Sequence, residues 1–211
     1  METGKNRAIT PQDIERAIRS VANVFKTNKV IIIGSQALLV GRDDILRELR
    51  FSREIDAYPA NIREWEAMNP GMVASEYING LLGLGSHFHK THGFFVDGVD
   101  DSTAFLPPGW ENRAVRKIVE SLDGHQIEAV APEPHDLVAA KLVRGDEKDL
   151  RFAHLCLKSG LVRYEQVKVR LKTLLPEEKL SIGLEQLRKA RHPRAPTKKR
   201  KRGKNDGGLS R

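Results

Sequence analysis

Residues 30–40 read Val-Ile-Ile-Ile-Gly-Ser-Gln-Ala-Leu-Leu-Val, an apolar run that stops at a glycine and a serine. The four β-branched residues 30–33 predict a short buried strand. Gly34 ends that strand and lets backbone come close to a phosphate, and the Ser35 hydroxyl can donate a hydrogen bond to it. Residues 36–40 can begin a helix, so the stretch predicts a strand, a phosphate-binding turn and a helix.

Acidic residues follow on two further predicted strands, residues 53–58 and 94–99. Side chains two apart on a strand point to the same face, so Glu54 and Asp56 would present their carboxylates together. Adjacent carboxylates repel unless a cation compensates, and Mg²⁺ prefers such oxygen ligands. Asp97 would complete a site for two metal ions about 4 Å apart. An acid-x-acid pair alone also fits a solvated strand edge; the order of strand, Gly-Ser turn and acidic strands favours the metal site.

The remaining pattern predicts mixed strands and helices up to about residue 131, and helices after it. Thr10 and Pro11 are suited to start a helix that runs to about residue 26. Residues 83–93 and 106–110 are expected to be a loop and a turn. The other predicted elements are helices over 61–68, 73–82, 136–143, 147–158, 164–174 and 177–189, and two edge strands over 113–122 and 126–131 joined at Asp123-Gly124.

These elements predict an α+β fold in three parts: residues 1–131, 132–192 and 193–211. The first is a small mixed β-sheet flanked by helices, the second a C-terminal helical bundle and the third a disordered basic tail. The formal net charge is +8, of which the tail carries +7 because it holds eight basic residues and one acid. The tail can contact nucleic acid phosphates in a salt-sensitive way, or it can serve as a solvated solubility tail.

Several classes of protein are disfavoured by composition. No apolar run approaches the roughly 18–20 residues that a membrane span needs, and residues 1–7 lack the apolar centre of a secretory signal. Cys156 is the only cysteine, which excludes an intramolecular disulfide and a zinc site built mainly on thiolates. We therefore expect a cytoplasmic protein.

Two clusters outside the strands invite a functional interpretation. Four basic residues share one helical face if Gly145 does not break the helix, and they are suited to neutralise a triphosphate or an RNA backbone: Lys141, Arg144, Lys148 and Arg151. The alternative is a solvated face with salt bridges to Asp146, Glu147 and Asp149. The second cluster, His87, His89 and His92, fits a loop that contacts base or ribose, or a plain polar loop; zinc would need further ligands.

Residues 31–38, 52–59 and 94–110 together resemble the nucleotidyltransferase superfamily of the DNA polymerase beta type. The likeness extends to Lys141-Leu142 and to residues 148–150. The chain also resembles the small bacterial nucleotidyltransferase-like proteins that are grouped near AbiEii-type toxins. The resemblance implies a mixed sheet flanked by helices, Mg²⁺, and transfer of a nucleotidyl group from a nucleoside triphosphate to an acceptor hydroxyl, on RNA such as tRNA or on protein.

Carried over by position, the resemblance assigns roles to individual residues. Gly34 and Ser35 would hold the triphosphate with Lys141 and Lys148, and the metal ligands and catalytic acids would be Glu54, Asp56 and Asp97. Glu54 stands where the superfamily more often has Asp, and it follows Gly34 by 20 residues, a longer spacing than is usual there. A toxin–antitoxin role with an antitoxin partner follows from the same resemblance. The alternative is a catalytically degenerate fold that binds nucleic acid or a partner protein.

Overall fold

A computed structural model describes residues 7–192 of the chain. Within that range it forms five strands: β1 Lys29–Ile32, β2 Glu54–Pro59, β3 Phe95–Gly98, β4 Val115–Glu120 and β5 Gln126–Ala131. A 3₁₀ helix covers Ser35–Leu39. The α-helices are α1 Pro11–Phe25, α2 Arg47–Arg50, α3 Ile62–Met68, α4 Ala74–Leu82, α5 His87–His92, α6 Trp110–Arg113, α7 Pro134–Arg144, α8 Glu147–Lys158, α9 Tyr164–Leu174 and α10 Glu177–Arg191.

The five strands form one mixed sheet in the order β3-β2-β1-β5-β4. Strand β1 runs antiparallel to β2 and parallel to β5, while β2 and β3 are parallel to each other. This confirms the predicted α+β class with a mixed sheet flanked by helices. The prediction that residues 126–131 form an edge strand was wrong, because β5 lies between β1 and β4. Its parallel pairing with β1 joins residues far apart in sequence, which a local pattern does not show.

Helix α1 begins where the sequence predicted. Thr10 and Asp13 form a capping box, in which the Thr10 hydroxyl accepts from the Asp13 backbone N–H and the Asp13 carboxylate accepts from the Thr10 N–H. The apolar face of the helix packs on the sheet and buries Ile14, Ile18 and other residues at helical spacing. One face of the sheet is thereby covered by α1.

Residues 83–93 were expected to be a loop, and that prediction was wrong for their second half. The Ser86 hydroxyl accepts a hydrogen bond from the His89 backbone N–H and so starts helix α5. Gly93 ends the helix in a left-handed conformation, with φ of 74°. Residues 106–110 likewise lead into a short helix, α6, rather than forming only a turn.

The C-terminal helices follow the prediction, and the structure also decides whether the helix continues through Gly145. Gly145 adopts a φ of 70°, so α7 ends at Arg144 and α8 starts afresh at Glu147. Helix α7 packs against α8 and α9, and α10 packs against all three. The change from strands to helices falls between the end of β5 and the start of α7.

The division into residues 1–131 and 132–192 stays a prediction, and the predicted disordered tail, residues 193–211, lies outside the described residues. No helix between residues 7 and 192 combines the length and apolar character needed to cross a membrane.

Candidate functional site

A cleft of about 420 Å³ opens where β1 and β2 meet α7 and α8. A volume of this size is typical of small-molecule sites. Six of the seven residues that the resemblance assigned to the site line this cleft, and these are Gly34, Ser35, Glu54, Asp56, Lys141 and Lys148. The seventh, Asp97, is not among the described residues that line it. The sequence-predicted site therefore corresponds largely to one cavity.

The three acidic residues lie on one face of two adjacent strands. Strands β2 and β3 are parallel and in a register that pairs Asp56 with Asp97. Glu54 lies two residues before Asp56 on the same strand, and so projects to the same side. Burial, and then the charges of Glu54 and Asp97, raise the pKa of Asp56 to about 6, while the Lys141 charge opposes the shift. Asp56 is therefore a carboxylate that is short of positive charge.

The three carboxylates of Glu54, Asp56 and Asp97 are suitable ligands for a divalent cation, and such a cation would also balance their negative charge. Carboxylate oxygens are hard ligands, and a cation beside Asp56 would remove the repulsion that raises its pKa. Within residues 7–192, however, no three His, Cys, Asp or Glu side chains are close enough together to form a ready-made metal cage. Glu54 is exposed, whereas Asp56 and its strand neighbour Asp97 are half-buried.

Gly34 makes the close approach of the turn to Asp56 possible. Its φ of 69° and ψ of −165° belong to a region that is essentially restricted to glycine. A β-carbon at this position would occupy the space of the Asp56 carboxylate. The backbone of the turn therefore lies directly against the acidic residue, as a site joining phosphate to metal requires.

We expect Gly34→Ala to destabilise the fold by about 1–3 kcal/mol through backbone strain, and to displace Asp56 as well. Gly80→Ala in α4 is the matched control, because a β-carbon there meets no atom. That control should be neutral or stabilising by about 0.4–1 kcal/mol. Urea unfolding at pH 7 measures both, and equal stability of the two variants would contradict the expectation.

The buried side chain of Gln36 connects the Gly-Ser turn to the backbone of α2. Its side chain is 1% exposed, and its amide nitrogen donates to the Ser35 hydroxyl oxygen at 3.3 Å and to the Leu49 carbonyl at 3.4 Å. Because Ser35 accepts this hydrogen bond, its own O–H remains available to donate into the cleft. Gln36 was not predicted as a site residue, and only its polarity within an apolar stretch could have signalled it.

Four basic residues of α7 and α8 form a cationic wall on one side of the cleft: Lys141, Arg144, Lys148 and Arg151. A buried carboxylate, Asp149, lies among them. Asp149 is 1% exposed and accepts two hydrogen bonds from Arg144, at 2.6 and 2.7 Å, and one from Lys141 at 3.3 Å. Burial lowers the pKa of Lys141, and the nearby Arg144 lowers it further, against the opposing charges of Asp149 and Asp56. The Lys141 ammonium also lies 4.9 Å from the centre of the Phe152 ring. Lys141 and Arg144 are thus committed to a structural carboxylate.

Lys148 and Arg151 line the same cleft from α8. Across residues 7–192, no carboxylate lies within ion-pair distance of either side chain, although Glu147 is adjacent in sequence. The predicted alternative of a solvated face with salt bridges therefore describes the pairing of Lys141 and Arg144 but not of these two residues. Lys148 and Arg151 carry the positive charge that is still available for an anion.

The histidine cluster lies elsewhere. His89 and His92 project from α5, where His89 Nε2 is 2.9 Å from a guanidinium nitrogen of Arg53 and His92 Nδ1 is 3.1 Å from one of Arg16. Neither these residues nor His87 is among the described residues of the cleft.

Three phenylalanines that were not predicted to lie there line the cleft: Phe152, which is buried, and Phe51 and Phe105, which are exposed. Aromatic type alone gave no signal, because most phenylalanines are buried in cores. The position of the two exposed rings depends on how the segments after α2 and β3 fold over the sheet.

A mixed sheet with a Gly-Ser turn against a carboxylate group, facing a cationic helical wall, is the arrangement expected of a nucleotidyltransferase-type transferase. The chain belongs to the family described as "Nucleotidyltransferase of unknown function (DUF6036)", whose model matches residues 12–189. The match covers the whole sheet and almost all of the helical region. Comparison with curated proteins and with solved structures gives no match. The likeness to AbiEii-type proteins stays a prediction.

Proposed function

We propose that the protein is a Mg²⁺-dependent nucleotidyltransferase that moves a nucleotidyl group from a nucleoside triphosphate to an acceptor hydroxyl. The observation that carries this proposal is the position of Asp56, which is paired with Asp97 across two strands and packed against Gly34. The cleft around it also holds Lys148 and Arg151, which have no ion-pair partner among residues 7–192. Membership of a nucleotidyltransferase family supports the reaction class.

The residues of the cleft fall into a phosphate-binding group and a metal-binding group. Ser35 donates a hydrogen bond to the triphosphate, and Lys148 and Arg151 neutralise its charge from the opposite wall. Lys141 adds positive charge near Asp56 while it remains held by Asp149. Glu54, Asp56 and Asp97 would hold Mg²⁺ at two positions, and the ions would neutralise the phosphates and align the reacting oxygen.

The transfer itself is a displacement at the α-phosphorus. The acceptor oxygen forms a bond to that phosphorus, the bond from the phosphorus to the pyrophosphate oxygen breaks, and pyrophosphate leaves. Asp97 accepts the proton of the acceptor hydroxyl, because it lies beside Asp56 in the strand register and outside the cation wall. Asp56 stays ionised to balance the cation.

RNA, such as a tRNA end, is the favoured acceptor, with a protein hydroxyl as the other option. The basic residues 193–211 favour RNA because phosphate contacts by Lys and Arg attract any polynucleotide. A role as the toxin of a toxin–antitoxin pair rests on the resemblance to AbiEii-type proteins. It predicts that expression of the wild-type protein, but not of Asp56→Ala, slows growth.

The second candidate is a degenerate nucleotidyltransferase fold that binds nucleic acid or a partner without chemistry. Two observations favour it: the exposed Glu54 in place of an aspartate, and the lack of a three-ligand cage among residues 7–192. Such a protein would keep its salt-sensitive binding of RNA when Asp56 is removed.

Incubation with each of the four α-³²P-labelled nucleoside triphosphates, MgCl₂ and total RNA tests the proposal. We expect label on RNA or protein with wild-type protein, none in EDTA, and none with Asp56→Ala. Asp43→Ala is the matched control, since Asp43 is an exposed carboxylate outside the cleft, and it should label normally. Absence of label with all four triphosphates, together with RNA binding that survives Asp56→Ala, would favour the binding module.

A further inference from the structure

Two phenylalanines in the cleft keep much of their apolar surface in contact with solvent. Phe105 is 60% exposed and Phe51 is 44% exposed. Both line the same cavity as Gly34, Ser35 and Asp56. Exposed aromatic surface inside a concave site is costly in the free protein and favours a ligand that covers it.

The backbone of Phe51 is held by the fold, whereas Phe105 lies in an irregular segment. Phe51 follows α2, where its backbone bridges to Ala8, and the Arg47 guanidinium lies 5.3 Å from its ring centre. Phe105 lies in the segment between β3 and α6, next to Thr103 and Ala104, which also line the cleft. Neither ring is needed to fill the core, so their position in the cleft indicates a different role.

We propose that Phe51 and Phe105 bind the nucleobase of the triphosphate by stacking, and that purine nucleotides consequently bind more tightly than pyrimidine nucleotides. This inference rests on the proposed function. The cleft offers a different surface to each half of a nucleotide. Ser35, Lys148 and Arg151 provide polar and charged groups for the phosphates, and the two phenylalanine rings provide apolar surface for the base. Stacking tolerates every base, and its strength grows with the area of the base.

Titration calorimetry in MgCl₂ with ATP, GTP, CTP, UTP and inorganic tripolyphosphate measures the contribution of the base. We expect wild-type protein to bind ATP and GTP about 5- to 100-fold more tightly than tripolyphosphate, with CTP and UTP between them. The double variant Phe51→Ala/Phe105→Ala should lose that difference and keep its affinity for tripolyphosphate.

Further variants separate stacking from general apolar contact. Phe105→Tyr keeps an aromatic ring and should retain the preference for ATP, whereas Phe105→Leu keeps only apolar bulk and should lose part of it. Leu122→Ala is the control, because Leu122 is 100% exposed in the β4–β5 turn and outside the cleft. Thermal unfolding of each variant verifies that the fold is intact.

The outcomes distinguish the base site from the function on which it rests. Equal affinity of wild-type protein for ATP and tripolyphosphate would overturn the base site while leaving nucleotidyl transfer standing. A double variant that still prefers ATP over tripolyphosphate would overturn the base site as well. Failure of every triphosphate, with or without a base, to bind the wild-type protein would overturn both the base site and the proposed function.

Discussion

Replacing Asp56 with asparagine should abolish nucleotidyl transfer and at the same time make the metal-free protein more stable above pH 6. We expect a loss of activity of at least about 100-fold, because the variant removes the half-buried carboxylate that the cation needs. The amide has nearly the same shape as the carboxylate, so the contact with Gly34 is preserved. The two effects have opposite signs and a common cause, the uncompensated charge of Asp56.

The gain in stability follows from the raised pKa of Asp56, which lies at about 6 in the folded protein against an ordinary value of 3.8. A carboxyl group whose folded pKa is raised favours the folded state below the unfolded pKa, and this contribution is lost as the pH rises through the folded pKa. In EDTA, Asp56→Asn should therefore be more stable than wild type at pH 8 by about 1–3 kcal/mol. Near pH 4 the difference should vanish.

Urea unfolding in EDTA at pH 4, 6 and 8 measures this dependence, and Asp43→Asn is the matched control because Asp43 is an exposed carboxylate outside the cleft. Adding MgCl₂ at pH 8 should then stabilise the wild-type protein and leave Asp56→Asn unchanged, because binding to the folded state alone raises stability. A variant that is less stable than wild type at pH 8 in EDTA would show that Asp56 already has a compensating partner.

The local chemistry of the site could be predicted from the sequence because it depends on short-range rules. Strand alternation places Glu54 and Asp56 on one face, and the glycine after a β-branched run marks a close backbone approach. The pairing of Asp56 with Asp97 needed one more piece of information, the parallel register of β2 and β3, which the structure supplies. The assigned roles of these residues stay predictions until the transfer assay is done.

Features that depend on tertiary structure could not be predicted from the sequence. The internal position of β5 is set by its pairing with β1, a strand far away along the chain. In the cationic wall Lys141 is paired with Asp149, while Lys148 has no ion-pair partner in the described part of the chain; this division depends on the break at Gly145 and on the burial of Asp149. Exposure of Phe105 within a cleft is likewise a property of the assembled fold, since a lone phenylalanine in an irregular segment predicts neither burial nor exposure.

Replacing Asp149 with alanine should destabilise the protein by about 3–5 kcal/mol, because it leaves the largely desolvated ammonium of Lys141 without its hydrogen-bonded partner. The Lys141 side chain is 13% exposed, and its ammonium forms an ion pair with a carboxylate oxygen of Asp149 at 3.3 Å. Arg144 would lose both of its short hydrogen bonds as well, but its side chain is 54% exposed and can turn to water. The cost therefore arises mainly at Lys141.

A double variant separates the structural role of Lys141 from its role in binding. Asp149→Leu/Lys141→Met replaces the buried pair with apolar side chains of similar size, which in other proteins is often neutral or stabilising. We expect it to recover most of the stability that Asp149→Ala loses, as measured by urea unfolding. If Lys141 also contributes positive charge to the triphosphate, this stable variant should still bind tripolyphosphate more weakly than wild type. Full affinity in the stable double variant would assign Lys141 to the fold alone and leave Lys148 and Arg151 as the phosphate-binding cations.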